Sequence, residues 1–349
     1  MNKIAIINDT HFGMRNDSSF FLEKCLSYFE KVVFPYIENN NITQIIHLGD
    51  FFDRRKYINF NTLSEVRRRF LEKIPKGVHF HIILGNHDTF YKNTNNVNSL
   101  KELFRGYSNI TLYESPSTIQ INELKISLIP WINDNNKIEY CDFIQKCRSP
   151  VLVGHFEIIG FDVINGVRHH SGISESAFNN FEMVLSGHFH MKQSKKNIHY
   201  LGTQYQMNFG EANEIKGFHI LNTDTRELEF IENRDNIFNI IYYDDSSAIE
   251  NILEPKDMLK YSNSFVKVIV KNKNKPFLFD KFITDLYNID TQDLMIIDDY
   301  SEKIQNSLVD ITEDTMSIIN KEIDDLKNDL NKDKLKLIIK DLYMETLSL

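Results

Sequence analysis

The sequence predicts an α/β layered fold: a two-sheet sandwich flanked by helices, then a small β-α-β domain and a helical C-terminal segment. Three observations lead there. Over the first two-thirds of the chain, short apolar runs alternate with longer stretches of helical periodicity, the pattern of layered α/β domains. Beyond Val153 the apolar runs follow one another without long helices between them, which turns a plain doubly wound sheet into a sandwich completed by hairpins and loops. Finally, 349 residues exceed the roughly 250–300 at which a single core stops growing, so a second unit is expected toward the C-terminus.

The elements follow in order. Strands are expected at Lys3–Ile7, Gln44–Leu48, His79–Leu84, Lys125–Ile129, Val151–Val153, Met183–Leu185, His199–Leu201, Gly217–Leu221 and Glu227–Ile231. Apolar residues recur every three or four positions over Phe20–Glu38 and Thr62–Lys73, which predicts helices between the first three strands. After Asn233 the texture changes. Tyr242–Glu254 is polar and acidic, Phe265–Val270 and Leu294–Ile297 read as strands, and Phe277–Tyr287 reads as the helix between them. The last 49 or so residues lack Gly and Pro and carry two amphipathic patterns, one through Met316, Ile319, Ile323, Leu326 and Leu330 and one through Leu335, Ile338, Leu342 and Tyr343. The expected domains are therefore 1–233, 236–300 and 301–349.

Composition excludes several classes. No segment approaches the ~18 consecutive apolar residues of a membrane-spanning helix, and the run Ile4–Ile7 is too short for a secretory signal. Three cysteines, Cys25, Cys141 and Cys147, show no CxxC spacing, so neither a disulfide framework nor a thiolate metal site is suggested and a reducing cytoplasm is the expected setting. A net charge of −9 excludes a protein that coats nucleic acid through its overall field.

Five clusters carry the chemistry, each immediately after a predicted strand, where α/β proteins place reactive groups. They are Asp9-Thr10-His11, Gly49-Asp50-Phe51-Phe52-Asp53, Gly85-Asn86-His87-Asp88, Gly154-His155 and Gly187-His188-Phe189-His190. Carboxylate, amide and imidazole donors suit divalent manganese, iron or zinc. Asp9, His11, Asp50, Asn86, His155, His188 and His190 make seven donors, too many for one open ion. Two ions sharing a carboxylate use them naturally, and such a pair clamps the attacking and leaving oxygens of a phosphoryl displacement. Each dipeptide alone is an ordinary polar strand end; it is the ordered set of five that points to a metal site.

The order D-x-H, GD-x-x-D, GNHD, GH, GH-x-H resembles the calcineurin-like metallophosphoesterases. Asn8–Gly13 (NDTHFG), Gly49–Lys56 (GDFFDRRK), Gly85–Asp88 (GNHD), Ile129–Trp131 (IPW), Ser186–His190 (SGHFH) and Tyr200–Thr203 (YLGT) narrow the resemblance to the SbcD-type, meiotic-recombination-eleven family of DNA nucleases, in particular its T-even-type bacteriophage branch. The resemblance implies that Asp9, His11, Asp50 and His190 hold one ion, that Asp50, Asn86, His155 and His188 hold the other, and that Asp50 bridges. It implies His87 as the catalytic imidazole, with Asp53 either catalytic or orienting His87 or a ligand. It further implies two Mn2+ ions, with Mg2+ second, and 3′-to-5′ exonuclease action on duplex ends with endonuclease action on hairpins and single strands. The implied partners are DNA, an SbcC-like coiled-coil ATPase bound by the C-terminal helices, and a second copy of the chain within a heterotetramer, in the cytoplasm of a bacterium or a phage-infected cell.

Arg15, Arg54, Arg55 and Lys56 follow the first two metal motifs; they reach DNA phosphates or form ordinary solvated loops. His47, His79 and His81 lie in apolar strand runs and read as satisfied core imidazoles, while His169 and His170 read as solvent-exposed. Two other functions compete. A phosphoprotein or small-molecule phosphatase would use the same metals, and an inactive scaffold would have lost ligands that here are all filled.

Overall fold

The computed structural model describes residues 2–164, 166–246 and 255–298, with the isolated helical positions Ile323, Lys332, Leu335, Lys336 and Ile339. Apart from those five positions, the expected helical segment 301–349 lies outside the described residues. The chain divides into two compact units, Met1–Asn239 and Ile240–Leu349.

Strands of the first unit are β1 (Lys3–Ile7), β2 (Gln44–His47), β3 (His79–Ile83), β4 (Ile110–Tyr113), β5 (Ser117–Ile121), β6 (Leu124–Ile129), β7 (Val151–His155), β8 (Asp162–Ile164), β9 (Val167–Arg168), β10 (Met183–Gly187), β11 (Gln193–Lys195), β12 (Ile198–Tyr200), β13 (Lys216–Asn222) and β14 (Leu228–Asn233). They form two six-stranded sheets, in the orders β14-β13-β1-β2-β3-β4 and β11-β12-β10-β7-β6-β5, with β8 and β9 as a separate hairpin. Strands β1 to β4 run parallel to one another, as do β6, β7, β10 and β12. The C-terminal ends of the parallel strands in each sheet therefore open on one edge, where the loops carry the chemistry.

Alternation along the strands makes the sandwich. Ile4, Ile6, Ile46, Leu48 and Ile83 of the first sheet pack between the layers against Leu124, Ile126, Leu128, Val151, Val153 and Leu185 of the second, all buried. On the far face of the first sheet, Phe12, Phe29, Phe34, Phe51 and Phe70 form edge-on and tilted ring pairs beneath the helices Ser19–Tyr28, Phe34–Asn39 and Phe60–Arg69. Each ring contributes roughly 1.5–3 kcal/mol by burial. The expected helix Phe20–Glu38 is present but carries a π turn at Phe29–Val33. On the outer face of the second sheet, Tyr140 and Ile144 of the helix Lys137–Lys146 cover Leu152, Val184 and Tyr200.

Five strands of this unit were not expected from the sequence: β4, β5, β8, β9 and β11. They are short and mostly half-buried or exposed, so their residues lack the apolar run that marks a core strand. The second unit holds a three-stranded sheet, β15 (Phe238–Asp244), β16 (Phe265–Asn272) and β17 (Asp293–Asp298), with the helix Pro276–Tyr287 between the last two. The β-α-β block is thus correct but incomplete, because Tyr242–Asp244, in the stretch read as a polar lead-in, pairs as strand. Val266, Val268 and Val270 bury against Phe279, Phe282 and Leu286 of that helix. Among the described residues no helix is long and apolar enough to cross a membrane.

Candidate metal centre

The structure brings all seven predicted donors to one end of the sandwich. Asp9 and His11 follow β1, Asp50 follows β2, Asn86 follows β3, His155 ends β7, and His188 and His190 follow β10. Four of them, Asp9, His11, Asp50 and His188, have positive φ, at 46°, 41°, 55° and 85°. Non-glycine residues are held there at a cost of order 1–3 kcal/mol each, and such strain concentrates at functional sites. The loops over-determine it. Asp9 N donates to Gly49 O at 2.9 Å, His11 N to Asp50 O at 3.1 Å, and His188 N to the Asp9 carboxylate at 3.1 Å. Gly85 leaves room for Asp50: a Cβ there would stand 2.2 Å from Asp50 Oδ1 and 2.3 Å from its amide nitrogen.

The predicted donors form two groups, Asp9 with His11 and His190, and Asp50 with His155 and His188, and a third group joins His11 to Asp53 and His87; within each the ligand atoms lie within 4.8 Å of one another. Asn86 joins the second group, its Oδ1 2.9 Å from both His155 Nε2 and His188 Nδ1. Asp50 stands between the groups. Its Oδ2 is 3.3 Å from His155 Nε2 and 3.6 Å from His11 Nε2, while Oδ1 accepts the His87 amide at 2.7 Å.

Each of the four imidazoles turns one nitrogen inward and the other to an acceptor. His155 Nδ1 donates to Leu48 O at 2.8 Å. His11 Nδ1 faces Asp53 Oδ1 at 3.2 Å, His188 Nε2 faces Glu157 Oε1 at 3.3 Å, and His190 Nδ1 faces Glu211 Oε1 at 3.6 Å. Outer acceptors of this kind fix the tautomer and aim of metal-ligating histidines. Glu157 and Glu211 were missed in the sequence because neither belongs to a motif. Glu211 is buried, and Lys216, itself buried, bonds to it at 2.8 Å, to Glu214 at 2.7 Å and to the His190 carbonyl at 2.9 Å. Burial opposes ionisation of Glu211, but Lys216 and His190 bring its pKa down to about 2.

The donor set fits divalent cations. A main-chain carbonyl only accepts, so His155 carries its proton on Nδ1 and, when neutral, points an Nε2 lone pair at two further acceptors, Asn86 Oδ1 and Asp50 Oδ2. Three electron-rich atoms converge on a buried point, an arrangement stable only around a positive charge. His11 is likewise surrounded by carboxylates, both ring nitrogens buried and neither in hydrogen-bonding geometry, Nδ1 facing Asp53 Oδ1 at 3.2 Å and Nε2 facing Asp50 Oδ2 at 3.6 Å. Without metal, protons supply the charge. Burial lowers the pKa values of His155 and His11, yet Asp50 carries the first and Asp53 with Asp50 the second up to about 9. Burial likewise opposes ionisation of Asp50, and His155 and His87 hold its carboxyl well below the usual range.

His87 lies at the edge of this cluster, its ring 4.8 Å from that of His11. Its Nδ1 donates to the main-chain carbonyl of Asp53, and burial lowers its pKa, so the neutral ring keeps its proton on Nδ1 and leaves Nε2 as the base. Asp88 is an anchor. Its carboxylate accepts the amides of Asp50 at 2.8 Å, Phe51 at 3.0 Å and Gly85 at 2.8 Å, tying the loop after β2 to the loop after β3.

Arg15 and Arg54, beside the motifs, are engaged by local partners. Arg15 donates to Met207 O at 3.2 Å and lies over the rings of Phe21 and Phe238. Arg54 pairs with Asp17 at 3.4 Å and stacks on Tyr57. Arg55 is half-buried and Lys56 exposed. His47, His79 and His81 are satisfied imidazoles: His47 bonds to Thr10, His79 to Thr111, and His81 to Tyr113 and Gln44. His170 is exposed, whereas His169 is half-buried with its ring 5.2 Å from Phe189. Trp131 packs against the centre, with ring centroids 5.3 Å from His188 and 5.9 Å from His155.

The sequence profile described as calcineurin-like phosphoesterase matches residues 2–192. Exonuclease subunit 1 of Enterobacteria phage T4 is 29% identical over 323 residues, which cover 91% of this chain and 93% of that protein. Among solved structures, an archaeal phosphodiesterase is similar at a TM-score of 0.36 and 16% identity, over 66% of this chain and 99% of that one.

Proposed function

The chain belongs to the calcineurin-like phosphoesterase family, and from that premise we propose that it is a DNA nuclease that hydrolyses phosphodiester bonds with two divalent ions, Mn2+ before Mg2+. Asp9, His11, Asp50 and His190 would hold one ion and Asp50, Asn86, His155 and His188 the other. The observation that carries this reading is the position of Asp50 Oδ2, within 3.6 Å of a histidine from each donor group. Bound ions would supply Lewis acidity toward the phosphate oxygens and a water made nucleophilic near neutral pH.

The chain's own residues account for the rest. The four imidazoles are preset by outer acceptors, and His11 and His188 also by strained backbone, so little reorganisation is required on binding. His87 would take up a proton at Nε2 and deliver it to the departing sugar oxygen, its Nδ1 staying anchored to Asp53. DNA as the substrate is supported by the phage exonuclease subunit, to which this chain is similar over nearly the full length of both. That relative's description as a subunit supports a partner, for which an SbcC-like ATPase docked on the C-terminal segment is the proposal.

End-labelled duplex and single-stranded DNA, incubated with the purified protein in Mn2+, tests the reading. Metal-dependent shortening of the label is the expected result. Turnover of a phosphopeptide with no action on either DNA would replace the nuclease by a phosphatase.

A further inference from the structure

The loop following the third metal cluster is built for a ligand of its own. Residues 89–98 close as a small hairpin, bridged between Thr89 and Asn98, with Phe90 N donating to Val97 O at 2.9 Å. Its base is fixed to the metal centre through Asp88, whose main-chain oxygen accepts the Ser99 amide at 2.9 Å. Its far side is fixed as well, since Asn95 donates to the carbonyl of Trp131 at 3.0 Å, the residue whose ring lies against His188 and His155. On this secured loop Phe90 and Tyr91 stand 36% and 52% exposed, ring centroids 4.7 Å apart and nearly perpendicular.

We infer that this loop binds unpaired nucleotides of the DNA strand being cut, the bases stacking on Phe90 and Tyr91. The inference rests on the nuclease reading above and names the part of the substrate that the metal centre does not hold. Three features favour this occupant. Exposed aromatic rings stack on the face of any base, whatever its identity. Apart from Val97, the rest of the loop is polar, with Lys92 beside the rings, whereas aromatic anchors in a protein interface are surrounded by aliphatic residues. Phe90 is three residues from His87, a reach of at most about 11 Å, so a base on this platform belongs to a nucleotide one or two steps from the scissile phosphate.

The test compares the full-length protein with the Phe90→Ala/Tyr91→Ala double variant and, because Phe90 is only 36% exposed, with the Tyr91→Ala single variant, the melting temperature of each being read as a check on folding. Three quantities are read in Mn2+: KM for a single-stranded oligonucleotide, turnover of bis(p-nitrophenyl) phosphate, and quenching of 2-aminopurine placed near either end of the oligonucleotide. The inference predicts a KM raised about tenfold or more, quenching lost, and turnover of the small diester within about twofold of the parent. Unchanged KM and quenching overturn it. So does light scattering that shows the parent to self-associate through this face and the variant not to, because the rings then serve a second copy of the chain. If the parent splits the small diester but neither binds nor cuts DNA, it is the nuclease reading that fails; if it splits neither, the metal centre fails first.

Discussion

His87 is held by the main-chain carbonyl of Asp53 and not by its carboxylate, which turns instead to His11 Nδ1 at 3.2 Å. One residue thus serves two imidazoles through different atoms. Asp53→Asn leaves the carbonyl in place and weakens only the partner of His11. Its apparent Mn2+ affinity is expected to fall about 10- to 100-fold, the usual cost of losing an outer acceptor, while kcat at saturating Mn2+ stays near the parent value. Calorimetry and steady-state kinetics read the two quantities separately. A collapse of kcat with affinity intact would mean that the carboxylate itself acts on substrate.

His87→Ala is expected to do the reverse. The variant keeps both ions, since the seven proposed donors remain, and loses about 10²- to 10⁴-fold in kcat, the range for a general acid. Elemental analysis after gel filtration gives the metal content. Loss of metal together with activity would make His87 a ligand.

Metal binding should release protons. His11 and His155, raised to about 9 by neighbouring carboxylates, are charged in the metal-free protein at neutral pH and must deprotonate to bind. Calorimetric titrations in buffers of different ionisation enthalpy are expected to show about two protons released per chain at about pH 7.5 and none near pH 10. The same groups set a stability window. Because their folded pKa values lie above the unfolded 6.5, their contribution is fully present below 6.5 and is lost as pH rises through about 9. The metal-free protein should therefore melt lower near pH 10 than near pH 6, whereas the Mn2+ form should not. A pH-independent proton count would contradict the charged state of these histidines.

Trp131 is the chain's single tryptophan and its ring lies 5.3 Å from that of His188. Paramagnetic Mn2+ held by Asn86, His155 and His188 should quench its emission, while Mg2+ should not. His188→Ala is expected to abolish the quenching and Asp9→Asn to preserve most of it, because Asp9 belongs to the other donor group. Equal quenching in both variants would place the ion elsewhere.

The five loops that carry the proposed ligands were legible because each begins where an apolar strand ends, so both the strand and its polar residue show in the sequence. Asp50, as one example, follows the expected strand Gln44–Leu48 after the single residue Gly49. What held those residues in place was not legible. Glu157, Glu211 and Lys216 reach the centre through tertiary contacts and carry no spacing signal, and the burial of a Glu–Lys pair runs against what composition suggests for charged residues. Arg15 and Arg54 show the opposite limit: their position beside metal motifs suggested phosphate contacts, yet local partners, Met207 and Asp17, already engage them. Strands such as β4 were hidden because all four residues of Ile110–Tyr113 are half-buried, so neither an apolar run nor a clean alternation marks them.

Anomalous diffraction at the manganese edge, from crystals grown in Mn2+, tests the central claim most directly. Two peaks about 3.5–4 Å apart are expected, one bounded by Asp9, His11 and His190, the other by Asn86, His155 and His188, with the Asp50 carboxylate touching both. A single peak, or two peaks with Asp50 turned away from either, would contradict the account.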